Sequence, residues 1–147
     1  MSIPVTGEKA ASKIEQKFPD SVVTFQNTDV WIDVENLTDI LSYLKNDPEF
    51  DMQFLNSISA VDYIEYFELV YHLRSLRNNT TLVIKTKCFG RGKITVPSIT
   101  SIWRGAELQE REIWDLMGIN FSDHPNMKRI LLWEGFPGHP LRKDFIR

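Results

Sequence analysis

The sequence contains very little cysteine, and this scarcity excludes several kinds of site. Cys88 is the only cysteine among the 147 residues. An internal disulfide joins two cysteines, and a zinc ribbon or an ordinary iron–sulfur cluster uses four thiolate ligands. The chain alone is therefore expected to form none of these. Cys88 is interpreted as a buried, unreactive thiol in a reducing compartment.

Excess basic charge and long apolar runs are also lacking. The formal net charge is −3 and the isoelectric point is near 5.6. This balance disfavours a general polyanion binder, because such proteins need a concentrated basic face. No stretch approaches the roughly 20 apolar residues of a membrane span, and the N-terminus lacks the apolar core of a signal peptide. We expect a soluble chain that binds no nucleic acid and reaches a membrane only through partners.

Motifs for metal ions and nucleotides are missing as well. The three histidines, His72, His124 and His139, show neither HExxH nor i, i+4 spacing. The glycine-containing stretch 88–93, CFGRGK, does not match either phosphate-binding glycine motif, so it is interpreted as a turn. The sequence therefore predicts no catalytic, cofactor-binding or metal-binding residue on this chain.

What the sequence does contain is the pattern of one compact domain with several helices. Hydrophobic residues make up 42% and charged residues 25%, and no repeat or Gly/Ser linker divides the chain. Apolar residues at helical spacing predict three helices, at 7–18, 37–46 and 98–117. Asn36 is the expected N-cap of the second helix. Gly105 is a point where the third can break, and Gly118 is its expected end.

Between the helices, alternating or β-branched runs predict strands. These strands are expected at 21–25, 30–34, 64–75 and 80–87, whereas 54–62 is assigned to a connection. Together the elements indicate an α+β fold. We expect a two-layer single domain, 1–147, with helices packed on one face of a small mixed or antiparallel sheet. Within it, 1–121 would form the core and 122–147 an extended tail that binds a partner.

One carboxylate lies on the apolar stripe of the last predicted helix. At 100° per residue, Glu110 falls among hydrophobic side chains. Glu107, Arg111 and Asp115 share a neighbouring face and are interpreted as a solvated ladder of ion pairs. Burying a carboxylate is costly unless it is paired. We therefore expect an arginine or backbone amides beside Glu110, or a raised pKa.

The surroundings of Glu110 leave alternatives open. Arg129 and Arg142, both in the tail, are the favoured structural partners. An independent acid/base enzyme would instead combine Glu110 with His124 or His139. A third hypothesis is a single-stranded nucleic-acid binder that uses the aromatic and basic residues of the tail.

An ordered run of residues in the last third of the chain resembles a known family. The run comprises ERE at 110–112, DLMGI at 115–119, HP at 124–125, KRIL at 128–131 and GHPLRKDF at 138–145. It is similar to the signature of the C subunit, or 30 kDa subunit, of proton-pumping NADH-quinone oxidoreductase, which is respiratory complex I. The likeness extends from near Phe54 to Phe145.

The resemblance implies a non-catalytic subunit of the peripheral arm, without a cofactor of its own. In related complexes this subunit packs against the hydrogenase-like large subunit that forms the quinone site, near small cluster-bearing subunits. FMN, iron–sulfur clusters and quinone would belong to the partners. The chain would brace the quinone-reducing module for electron transfer from NADH to quinone, at the cytoplasmic face of the cell membrane. An equivalent subunit of a ferredoxin- or deazaflavin-dependent dehydrogenase, or of a membrane-bound hydrogenase, is the alternative.

The resemblance also divides the signature residues into two groups. One group is structural and comprises Glu110, Arg111, Glu112, Asp115, His124, Pro125, Lys128 and Arg129. The other is expected to contact the partner and comprises Trp133, Phe136, His139, Pro140, Leu141, Arg142, Lys143, Asp144 and Phe145. Aromatic and arginine side chains are typical energetic centres of interfaces. The tail is therefore predicted to lie across the surface of the large quinone-site subunit.

Overall fold

A computed structural model describes residues 2–90 and 92–145 and contains eight strands and three α-helices in that part of the chain. The strands are β1 (Ile3–Pro4), β2 (Val22–Gln26), β3 (Asp29–Ile32), β4 (Phe54–Asp62), β5 (Tyr66–Ser75), β6 (Thr80–Phe89), β7 (Thr95–Pro97) and β8 (Asn120–Ser122). The helices are α1 (Gly7–Lys17), α2 (Leu37–Asn46) and α3 (Ala106–Met117), with a 3-10 turn at Val34–Asn36. The prediction of an α+β domain is confirmed.

The main sheet is mixed. Its strands follow the order β2-β3-β6-β5-β4, and β1 also pairs with β6. β1 and β3 run parallel to β6, whereas the other neighbours are antiparallel. β7 and β8 form a separate parallel pair. This topology makes β2 and β4 the two edge strands.

The helices pack on one face of the main sheet. Alternate residues of β5 point to that face and are fully buried: Phe67, Leu69, Tyr71 and Leu73. They share one hydrophobic core with Ile14 of α1, Leu41 of α2 and Ile113 of α3. Val70 points to the other face and lies outside this core. The two-layer arrangement buries apolar surface on one side only, as the strand alternation predicts.

The prediction for 54–62 was wrong, because this segment is the edge strand β4 rather than a connection. β4 pairs with β5 along its whole length, from Phe54 opposite Arg74 to Asp62 opposite Phe67. The register shifts between Leu55 and Ser57. This irregularity breaks the period-two pattern on which strand prediction depends, and the small polar residues of the segment weaken the pattern further.

Two helix starts also differ from the prediction. The helix predicted at 98–117 begins only at Ala106, after turns in which the N–H groups of Ile102 and Trp103 both donate to the carbonyl of Ile99. Asn36 precedes α2, but its side chain makes no capping hydrogen bond. Its backbone (φ −99°, ψ 6°) is not in the extended conformation that a capping side chain requires. The predicted end at Gly118 is confirmed by its left-handed φ of 75°.

Candidate functional site

Glu110 of α3 is fully buried and is held by neutral donors. Its carboxylate accepts hydrogen bonds from Ser98 Oγ at 2.6 Å and from the Ile99 N–H at 2.9 Å. Burial raises the pKa of Glu110, and these two hydrogen bonds only partly oppose the rise. The carboxylate therefore fastens the turns before α3 to the helix. The sequence offered no periodic signal for the role of Ser98.

The predicted arginine partners of Glu110 lie elsewhere. Arg129 binds Asp115, and the Arg142 guanidinium lies over the ring of Phe67 at 5.0 Å. The alternative expectation, a backbone amide and a raised pKa, is the one that the structure confirms. Arginine was the wrong choice because the turns at 98–105 place a main-chain N–H next to the carboxylate, which an uninterrupted helix would not do.

His124 links the start of the tail to α3. Its Nδ1 accepts a hydrogen bond from the Asn126 N–H at 3.0 Å, so this nitrogen carries no proton. The Nε2–H therefore donates to the carbonyl of Glu107, also at 3.0 Å. The same Nε2 is 4.0 Å from Oε1 of Glu110, and both side chains are almost completely buried. The hydrogen bonds fix a neutral ring in a structural position.

Asp115 is the charged centre of the site, and the prediction of a solvated residue was wrong. It is fully buried, and its Oδ1 accepts from Arg129 Nη1 at 2.7 Å. Its Oδ2 accepts from three consecutive backbone N–H groups, those of Ile130, Leu131 and Leu132, at 2.8 to 3.1 Å. One carboxylate thus holds four residues of the tail.

The pKa of Asp115 reflects this arrangement. Burial alone would raise the pKa, but the Arg129 hydrogen bond and the three amides outweigh it and hold the pKa of Asp115 at about 2. Asp115 is therefore ionised at neutral pH despite being buried. Its negative charge is matched by a guanidinium and by aligned N–H dipoles.

Arg129 completes the connection between the helix and the tail. Besides the carboxylate, it donates to the main-chain carbonyls of Asp115 (2.8 Å), Phe136 (2.7 Å) and Gly138 (3.1 Å). Its guanidinium lies 5.3 Å from the centre of the Trp114 ring. Arg111 adds hydrogen bonds to the carbonyls of Lys128 and Arg129. A planar fork with five donors suits this role, and lysine could not satisfy the same set.

The end of the tail is bound to the core at several further points. His139 Nδ1 donates to the Asp115 carbonyl at 2.9 Å, and the Leu141 N–H donates to the Leu116 carbonyl at 2.8 Å. The Lys143 N–H donates to Asp62 Oδ2 at 2.8 Å. No helix or strand is present between Asp123 and Phe145, yet these contacts fold the segment back along α3 and the end of β4.

The tail turns several large apolar side chains to the outside. Leu131, Trp133 and Leu141 are exposed by 60%, 64% and 58%. Phe136 is partly buried between Trp133 and a stacked Phe145. Among the other residues predicted to contact a partner, Lys143 and Asp144 are exposed, Pro140 is half-buried, and His139 and Arg142 make the internal contacts described above. Leu131 was not predicted as an interface residue.

The remaining signature residues are on the surface. Glu112, Pro125 and Lys128 are exposed. Within residues 2–90 and 92–145, no three His, Cys, Asp or Glu side chains come together as a possible metal site. The helices in the same residues are all too short or too polar to cross a bilayer. Cys88 is buried, as predicted, and burial raises the pKa of its thiol to about 11.

The arrangement of α3 and the tail coincides with a family signature. The family model for the respiratory-chain NADH dehydrogenase, 30 Kd subunit, matches residues 30–147. The chain belongs to this family. The match covers all three of the connected parts described above: β4, α3 and the tail.

Individual members of the 30 kDa subunit family agree with this assignment. The C 2 subunit of NADH-quinone oxidoreductase from Rhizobium etli is 40% identical over 139 residues, which is 90% of this chain and 73% of the relative. The C/D subunit of NADH-quinone oxidoreductase from Sulfurihydrogenibium sp. is 36% identical over 141 residues, 92% of this chain and 24% of the relative. A chain in the structure of the membrane-bound sulfane sulfur reductase, an archaeal respiratory membrane complex, superposes with a TM-score of 0.76 at 25% identity, covering 95% of this chain and 85% of that one.

Proposed function

We propose that this chain is the 30 kDa subunit of a proton-translocating NADH-quinone oxidoreductase and that it braces the quinone-reducing module without catalysing a step itself. The names of its relatives support the assignment to that enzyme. The observation that carries the bracing role is the pre-formed tail, which Asp115 and Arg129 hold in shape while Trp133 and Leu131 face outward. A segment that is already ordered loses little entropy on binding.

The partner proposed for this surface is the large quinone-site subunit. The relative from Sulfurihydrogenibium has a double letter, C/D, in its name, and this chain matches only 24% of it. Fusion of two subunits in one polypeptide supports direct contact between them. The large quinone-site subunit, which would correspond to the D part, is therefore the proposed occupant of the outer side of the tail. The small cluster-bearing subunits would be further neighbours, and partners would carry FMN, iron–sulfur clusters and quinone.

The buried polar groups do not favour an independent acid/base enzyme. Glu110 is fully buried and already bound by Ser98 and Ile99, and both nitrogens of His124 are engaged. A general acid or base must reach the proton that it transfers. The side chains of His124 and Glu110 are only 1% and 0% exposed, so a substrate in solution does not reach them. The site is therefore better suited to assembly.

A second candidate function is an equivalent place in a related respiratory complex. The likeness to a chain of a membrane-bound sulfane sulfur reductase supports it, because the fold is shared at a TM-score of 0.76. In that case the donor could be ferredoxin or reduced deazaflavin, or the complex a membrane-bound hydrogenase. Genes for NADH- and flavin-binding subunits beside the gene for this chain would favour NADH as donor, and their absence would favour the second candidate.

The test is purification of the tagged chain from the membranes of its own organism. We expect the large quinone-site subunit and cluster-bearing subunits to co-purify from the cytoplasmic face, together with NADH-quinone activity. The chain purified alone should show neither flavin nor cluster absorbance. Oxidation of NADH by the isolated chain, or recovery of the chain from membranes without any of these subunits, would overturn the proposal.

A further inference from the structure

The tight turn between β4 and β5 contains a residue whose type opposes its conformation. Ile64 has a φ of +74°, and its side chain is 63% exposed. A β-branched residue at positive φ is uncommon and costs on the order of 1 to 3 kcal/mol, whereas asparagine or glycine adopts this conformation readily. An exposed apolar side chain in a costly conformation suggests a role outside the isolated chain.

Aromatic side chains extend from this turn across the face of the sheet that the helices leave open. The ring of Tyr66 lies 5.2 Å from that of Tyr63 and 5.4 Å from that of Phe89. Lys87 Nζ is 4.7 Å from the centre of the Tyr66 ring. Tyr63 and Phe89 are exposed by 48% and 71%. We call this group, Tyr63, Ile64, Tyr66, Lys87 and Phe89, the tip surface.

The tip surface is joined to the tail by one buried carboxylate. Asp62 is 3% exposed, and it accepts from the Ile64 N–H through Oδ1 and from the Lys143 N–H through Oδ2, both at 2.8 Å. The turn and the end of the tail are therefore fixed relative to each other. A rigid partner that touches Leu141 and Lys143 on the tail reaches the tip surface without a gap in the contact.

We propose that the tip surface is a second docking surface for the same large quinone-site subunit that binds the tail. This proposal rests on the proposed function, and it follows from the continuity through Asp62. The aromatic rings and Ile64 would enter an apolar hollow, and the exposed ammonium of Lys87 would face a carboxylate at its rim. Clustered aromatic anchors beside a cation are typical of interface centres.

The test compares the full-length chain with variants in binding to the large quinone-site subunit from the same organism. Ile64→Asn removes the apolar side chain and suits a positive φ, so the variant should fold at least as well as the original chain. We expect its dissociation constant to rise about tenfold while its melting temperature stays equal or increases. Leu76→Asn is the matched control, because Leu76 is 57% exposed in the turn at the opposite end of β5. It should change neither value.

Lys87→Gln tests the charged part of the surface separately. Removing the ammonium should lower the association rate and weaken its dependence on salt. Its fold is monitored by the same melting curve. An unchanged rate and salt dependence would overturn the expected carboxylate on the partner.

The outcomes separate this inference from the proposed function. If the unmodified chain does not bind the large quinone-site subunit, the proposed function fails. If Trp133→Ala weakens binding but Ile64→Asn does not, only the tip surface is refuted. If Ile64→Asn changes the mass of the isolated chain in sedimentation and leaves binding to the large quinone-site subunit intact, the surface joins two copies of this chain, and the proposal is overturned.

Discussion

Helix α3 buries two carboxylates, Glu110 and Asp115, in opposite electrostatic surroundings. Both are 0% exposed. Glu110 meets a hydroxyl and one amide, and burial raises its pKa, whereas Asp115 meets a guanidinium and three amides that lower its pKa to about 2. Charge is therefore required at one position and costly at the other. The first residue organises the turns inside the core, and the second organises the tail that faces a partner.

Removing the second carboxylate should have the largest effect. Asp115→Ala leaves the Arg129 guanidinium partly buried without its counter-charge and three amides without their acceptor. We expect a loss of about 3 to 5 kcal/mol in the free energy of unfolding, together with release of the tail. Urea unfolding measures the first effect, and protease cleavage between 130 and 145 measures the second.

The control for this change lies on the same helix. Glu112 is exposed, so Glu112→Gln removes a carboxylate without disturbing the tail and should shift stability by less than about 0.5 kcal/mol. An Asp115→Ala protein with a protected tail and near-normal stability would show that Asp115 does not organise this segment.

Acid should weaken the same contact in the original protein. The folded pKa of Asp115, about 2, lies below the ordinary value of 3.8. Its contribution, about 2 kcal/mol, is therefore complete above pH 4 and is lost as pH falls towards 2. We expect the difference in urea midpoint between the original chain and Asp115→Ala to shrink over this range. A constant difference from pH 5 to pH 2 would contradict the lowered pKa.

Glu110 should respond in the opposite direction. Its raised folded pKa favours the protonated form, so its ionisation costs stability as pH rises above 4.5. Glu110→Gln keeps an acceptor for Ile99 and stays neutral. It should lie within about 1 kcal/mol of the original chain at pH 4, and gain relative to it as pH increases to 8.

Activity adds a second measurement for Glu110. Turnover per assembled complex should be unchanged in Glu110→Gln, because the residue has no chemical role. Normal complex abundance with reduced turnover would indicate that Glu110 does more than hold the turns. Glu110→Ala serves as the contrast, since it leaves the Ile99 N–H unsatisfied and should cost about 1 to 3 kcal/mol.

The sequence predicted the layers of this fold better than the contacts of its polar groups. Alternation along β5 placed Phe67 and Tyr71 correctly, because burial on one face imposes a strict period. Helical periodicity placed Glu110 in the core for the same reason. It misplaced Asp115, because the angular pattern of one helix cannot show that a distant loop covers a second face.

The tail illustrates the same limit. The family signature identified Arg129 as structural, but its partner is Asp115 rather than Glu110. That choice depends on where the chain turns after β8, which no local preference determines. Asp62 is similar. An aspartate before a turn can be expected to accept an N–H two residues later, as it does from Ile64, but its second contact, with Lys143, spans 81 residues.

The smallest effect on stability should come from the outer side of the tail. Trp133 is 64% exposed, and its ring touches that of Phe136 edge-on at 5.6 Å. Trp133→Ala should therefore change the free energy of unfolding by less than about 1 kcal/mol, yet weaken binding to the large quinone-site subunit about tenfold or more. Leu76→Ala, equally exposed but far from the tail, should leave binding intact. Equal binding by both variants would mean that the ordered tail serves only the fold of its own chain, and the distinction between Glu110 and Asp115 would then have no counterpart in assembly.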